Sequence, residues 1–118
     1  MTTGDIMARP VKDPKKDFLF EAILSLETVE DCYHFFEDLC TIKELDDMAK
    51  RMWGAMMLAD NKVYTEITEA TGLSTATISR INRCLKYGQD GYSSVLEKLK
   101  EKNITLPAGE TEGDEADV

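Results

Sequence analysis

The stretch 64-YTEITEATGLSTATISRINRCLKYG-88 decides how this chain is read. Two short helical segments, 64–71 and 74–87, flank Gly72. A tight turn between helices needs a residue that tolerates positive φ, and glycine does so without steric cost. Ile67 stands five residues before Gly72, Leu73 directly follows it, and Ile78 and Ile81 lie six and nine residues beyond. At helical periodicity those spacings aim all four side chains into one small core between the segments. Ser74 is placed to cap the second helix, which then opens with the small residues Thr75, Ala76 and Thr77. A helix that begins so slimly can enter a DNA major groove about 12 Å wide. The pattern is that of a helix-turn-helix.

The outer face of the second segment carries suitable chemistry. Thr75, Thr77 and Ser79 can hydrogen-bond base edges or phosphates, and Ala76 can meet a thymine methyl. Arg80 and Arg83 can reach a phosphate or a guanine edge, and Lys86, near the helix end, is suited to the backbone. Ser74 at the helix start, with Thr65 and Thr68 on the first segment, completes the candidate DNA-contact set. The alternative is a helical hairpin that contacts protein instead of nucleic acid.

This segment sits in an acidic chain of 118 residues with a formal net charge of -9. The acid is unevenly spread. Residues 109–118, GETEGDEADV, hold five acids (Glu110, Glu112, Asp114, Glu115 and Asp117) and no base, so the remainder carries only -4. Residues 74–87 contain three bases and no acid. Screening confines charge interactions to roughly 8 Å at physiological ionic strength, so the local field governs contact with an anion. The acidic tail itself reads either as a solvated, solubilising extension or as a DNA mimic that competes for the basic face.

The length suits one domain, and a 42% hydrophobic content excludes a disordered chain. No apolar run spans a bilayer, and the N-terminus lacks the apolar core of a secretion signal, so a cytoplasmic location is expected. Cys32, Cys40 and Cys84 form no CxxC pair, and the odd number excludes a complete disulfide framework; reduced thiols are expected. Residues 1–13 read as a loose arm. Pro14 opens a first helix, 15–26, and Thr28 caps a second, 29–40. Thr41 and Glu44 form a T-x-x-E capping box before a third, 42–60, whose apolar stripe runs Leu45, Met48, Met52, Ala55, Met56 and Ala59. After the helix-turn-helix comes a last helix, 92–103, and residues 104–118 read as a disordered acidic tail. The domain thus spans 14–103, with no strand pattern: the class is all-α. The first three helices carry more apolar surface than a monomer of this size can cover, which calls for a helical dimer.

The segments 36-FEDLCTIKELDDMAKRM-52 and 63-VYTEITEATGLSTATISRINRCLKYG-88 resemble the tryptophan-repressor superfamily, in particular its small tryptophan-repressor-like subgroup of the YerC/YecD type. The similarity runs from about Pro14 to Lys98. It implies an intertwined all-helical homodimer that regulates transcription, as a repressor, by binding double-stranded DNA in the major groove. It also implies two recognition helices about 34 Å apart, a spacing known from helix-turn-helix dimers that include the tryptophan repressor itself. In tryptophan-binding members the ligand meets a threonine, two arginines, a glycine and a serine. The matching positions here are Thr41, Arg51, Arg80, Ile81 and Cys84. Isoleucine fills space that glycine leaves open, and a thiol replaces poorly a hydroxyl that accepts a hydrogen bond. The resemblance therefore carries the DNA-binding role across, without tryptophan as corepressor; any effector is another small molecule.

The other conspicuous residues read as structural. His34 has no metal-ligand partners at suitable spacing. Trp53 with Met48, Met52, Met56 and Met57 reads as adaptable core. Cys84 could act as a redox switch beside Arg80, Arg83 and Lys86, but a small apolar filler is the simpler reading. Asp46 and Asp47 are adjacent on a helix and cannot face one site. The chain shows no catalytic constellation, no cofactor motif and no zinc spacing, so it is not expected to be an enzyme.

Overall fold

The computed structural model describes residues 13–107, and the order along the chain is six helices: α1 (Pro14–Leu24), α2 (Val29–Leu39), α3 (Ile42–Ala59), α4 (Tyr64–Thr71), α5 (Thr75–Tyr87) and α6 (Gly91–Glu101). No strand occurs among the described residues. The arm, apart from Asp13, and the tail beyond Pro107 lie outside the described residues. The chain divides after Ile42 into two compact units.

The first unit holds α1 and α2. Pro14 takes the first helical position, and the Asp13 side chain accepts from the Lys15 N–H at 2.9 Å, so Asp13 belongs to the helix start and not to the arm. α1 stops at Leu24, two residues before the sequence expectation. There Ser25 caps it and donates its hydroxyl to the Ala22 carbonyl at 2.6 Å. Thr28 caps α2 as expected: its hydroxyl accepts from the Asp31 N–H at 2.9 Å. The Asp31 carboxylate reaches back to accept from the N–H groups of Glu27 (3.1 Å) and Thr28 (3.3 Å), closing a capping box. The Glu27 hydrogen bond leads in holding this carboxyl below the ordinary range, followed by those of Thr28, with His34 adding attraction; partial desolvation opposes them. A depressed carboxylate stabilises the folded form above its unfolded pKa, and that contribution disappears as pH falls through the lower folded value. Neither helix buries a single side chain.

The second unit contains the core. Ala55 and Met56 of α3, Ile81 of α5 and Leu96 of α6 form its buried cluster. Met52, Leu73, Leu85, Tyr92 and Leu106 pack partly buried around it. Of the apolar stripe read on α3, Ala55 and Met56 are buried, Leu45 and Met52 half-buried, and Met48 and Ala59 exposed. α3 ends where Asn61 adopts φ 65° and the Lys62 N–H bonds the Met57 carbonyl at 3.0 Å, satisfying an end carbonyl of the helix. α6 ends the same way: Asn103 has φ 61°, and the Ile104 N–H reaches the Leu99 carbonyl at 2.9 Å. That left-handed residue is why α6 stops at Glu101 and not at 103. It also returns the chain toward the core, so residues 104–107 are not part of a loose tail: Leu106 packs against the buried cluster.

The turn between α4 and α5 is held by two devices. Gly72 has φ 79°, a left-handed conformation, and its N–H bonds the Thr68 carbonyl at 2.7 Å. Beside it the Thr71 hydroxyl donates to the Ile67 carbonyl at 2.7 Å and accepts from the Leu73 N–H at 3.1 Å. Thr71 is itself buried. Replacing Thr71 by valine removes both bonds and strands the Leu73 N–H in a partly buried place. We expect a loss of about 1–3 kcal/mol in urea unfolding, with Thr71→Ser retaining most of the stability.

Candidate nucleic-acid interface

The core-facing side of α5 fixes what its other side presents. Ile78 and Ile81 are fully buried, as is Ile67 of α4. A methyl placed on Gly54 of α3 would stand 3.0 Å from Leu73 Cδ1, 3.7 Å from Ile67 Cγ2 and 3.8 Å from Ile81 Cδ1. Gly54 is therefore the point where α3 lets the helix-turn-helix core approach closely, a role its sequence context does not reveal. The three isoleucines and Leu73 converge as their spacing predicts, with Leu73 partly covered.

With Ile78 and Ile81 turned inward, Thr75, Ala76, Ser79, Arg80, Arg83 and Lys86 are all exposed. Among the described residues none of the three cations has an ion-pair partner. Tyr87, 81% exposed, lies seven residues after Arg80 and four after Arg83 and so shares their side of the helix. The sequence does not single it out, because an aromatic at a helix end reads equally well as core. At the start of α5, Ser74 accepts from the Thr77 N–H at 3.1 Å and donates to Thr77 Oγ1 at 3.1 Å. The Ser74 hydroxyl is thus engaged in capping, while half-buried Thr77 keeps its own hydroxyl hydrogen to donate. Thr65 on α4 is exposed. Thr68 is different: its hydroxyl oxygen is buried and has no hydrogen-bond partner among the described residues, so as placed it does not face a ligand. Period alone could not separate the two threonines, since one helical turn of α4 includes both its outer and inner faces.

The residues aligned with an effector site are dispersed in character. Thr41, in the first unit, is exposed, and so is Arg80; Arg51 is half-buried. Ile81 is 1% exposed and belongs to the core of its own chain. Cys84 is half-buried with a free thiol and lines a shallow concavity of about 540 Å³ with Met52, Gly88, Gln89, Gly91, Tyr92 and Val95. Neither arginine lines that concavity. His34 is exposed, and the described residues contain no group of three or more potential metal ligands.

A tight turn followed by a capped, basic, outward-facing helix on an all-α framework defines a protein of the all-α helix-turn-helix class. The chain belongs to the Trp repressor protein family, whose model matches residues 15–100. It is 52% identical over 85 residues to the uncharacterised protein YerC of Bacillus subtilis strain 168, covering 72% of this chain and 82% of YerC. The fold is similar to a TrpR-like protein from Eubacterium eligens ATCC 27750, with a TM-score of 0.73 and 49% identity over 75% of this chain and 92% of that one. It is similar also to a candidate Trp repressor from Staphylococcus aureus, with a TM-score of 0.72 and 37% identity over 85% and 96% of the two chains.

The burial of Ile81 yields a direct test of its role. If that position served a ligand, Ile81→Gly would open a pocket at little cost. As a core residue in mid-helix it should cost about 3–5 kcal/mol in denaturant unfolding, cavity and helix terms together. A loss below about 1 kcal/mol would remove Ile81 from the core.

Proposed function

We propose that this protein is a homodimeric, sequence-specific DNA-binding regulator of transcription, a repressor, that works in the cytoplasm without tryptophan as corepressor. The observation that carries the reading is the outer face of α5, where Arg80, Arg83 and Lys86 stand exposed, with no ion-pair partner among the described residues, on a helix that contains no acid. Arg80, Arg83 and Lys86 anchor phosphates, while Thr75, Ala76 and Ser79 read base edges in the major groove. Thr65 adds a backbone contact from α4, and the partial positive charge at the start of α5 favours a nearby phosphate. The family's DNA-binding character and the absence of a catalytic constellation in the sequence support a regulatory over an enzymatic role.

Dimerisation is supported by apolar surface that one chain leaves uncovered. On α1 and α2, and at the start of α3, Phe18, Leu24, Val29 and Ile42 are each more than 70% exposed. In the second unit Met52, Trp53, Met56, Leu96, Leu99 and Leu106 line an apolar cleft of about 280 Å³. Exposed apolar surface on this scale marks an interaction site, and a second copy of the chain is the partner that supplies matching surface. Among the described residues no helix is long and apolar enough to cross a membrane.

Selection from a random duplex pool at physiological salt should recover two half-sites separated by about one DNA turn, with the protein sedimenting as two chains. No enrichment from a protein that is dimeric and folded would turn the helix-turn-helix into a protein-contact module. On the recovered site, Arg80→Ala should weaken binding and reduce the slope of log K against log salt by about 1.8, about 0.9 for each of the two chains of the dimer. An unchanged slope would remove Arg80 from the phosphate contacts. Added L-tryptophan should leave the affinity unchanged.

A further inference from the structure

We propose that the acidic segment 110–117 docks, in the absence of DNA, on the basic outer face of α5 and competes with DNA for Arg80, Arg83 and Lys86. Three observations lead there. The face is free: all three cations are exposed and have no ion-pair partner among the described residues. The occupant is complementary: Glu110, Glu112, Asp114, Glu115 and Asp117 place five carboxylates within eight residues, with no base among them. The tether is short: Leu106 packs against the core of the same unit, in a cleft lined by residues of α3 and α6, and three residues separate it from Glu110.

Four residues from Leu106 to Glu110 span up to about 13 Å when extended, and the stretch to Asp117 up to about 36 Å. Such a short tether holds the carboxylates within reach of the surface of the second unit at an effective concentration in the millimolar range, enough for a weak anion site to be occupied. Carboxylates spaced along an extended strand offer the guanidinium groups what a phosphate backbone offers, charge-assisted acceptors in a row. The competition rests on the DNA-binding reading above, whereas the docking itself does not.

The test uses the full chain and its charge-neutral tail variant (E110Q, E112Q, D114N, E115Q and D117N). Without DNA, at low salt, neutralising the tail should shift the backbone amide resonances of the C-terminal half of α5. Carbodiimide coupling of the unmodified chain should join Lys86 to a tail carboxylate, and the product should vanish near 0.5 M salt, where screening shortens to a few ångströms. Affinity for duplex DNA at low salt should rise about threefold to tenfold in the variant. Unmoved α5 resonances together with no coupling to Lys86 would overturn the proposal. They would do so even if affinity rose, because general repulsion between tail and DNA would then account for the gain. Docking observed in a protein that binds no DNA in either form would leave the tail contact standing and overturn the competition, along with the DNA-binding reading.

Discussion

The arrangement of the second unit depends on a single tight turn, in which Thr71 and Gly72 fix the direction of α5 relative to α4. Gly72 supplies the left-handed backbone that ends α4. Thr71 then ties the last turn of α4 to the first residue of the next segment, bridging the Ile67 carbonyl and the Leu73 N–H. With that geometry set, Leu73 and Ile81 both reach the surface of α3 at Gly54, and Ile67 and Ile78 close the space between the helices. Each fully buried isoleucine contributes on the order of 1.5–3 kcal/mol. The outward presentation of Arg80, Arg83 and Lys86 is the reverse side of the same constraint, since a helix that buries one stripe must expose the opposite one.

That constraint also shows how an acidic protein can offer a basic surface. The net charge of -9 is a sum over the whole chain, whereas an approaching polyanion meets only the few charges within a Debye length. On α5 those are exclusively positive. Elsewhere the acids do local structural work. Asp13 and Asp31 satisfy helix N-termini, and Glu66 accepts from the Val63 N–H at 3.2 Å. Asp47 pairs with Lys43 one turn away at 2.9 Å, a surface contact of small energetic weight that nonetheless lowers the carboxyl pKa and raises that of the ammonium.

The two units differ in how they are stabilised. The second has its own core. The first has well-formed caps and apolar helices, but no side chain of α1 or α2 is buried within one chain. Capping contributes about 1 kcal/mol at each site and cannot by itself hold helices of this length in water. In the proposed dimer, burial of Phe18, Leu24 and their neighbours against the partner would link the stability of the first unit to assembly.

Much of this was legible in the order of residues. Thr28 and Ser74 as caps, Pro14 at a helix start, Gly72 as the left-handed turn and the inward isoleucines follow from rules that act within a few residues, where the chain is its own environment. The segregation of charge onto the outer side of α5 follows from helical period in the same way. What depended on which helices meet was not legible. Gly54 gained its meaning only from Leu73 packing at its Cα. Thr65 and Thr68 were indistinguishable until the packed structure buried one hydroxyl and exposed the other. Residues 104–107 read as tail because nothing local told that Asn103 would return Leu106 to the core. Local hydrogen bonds and φ preferences are written into neighbouring residues; burial is a property of surfaces brought together from distant parts of the chain, and only the tertiary structure decides it.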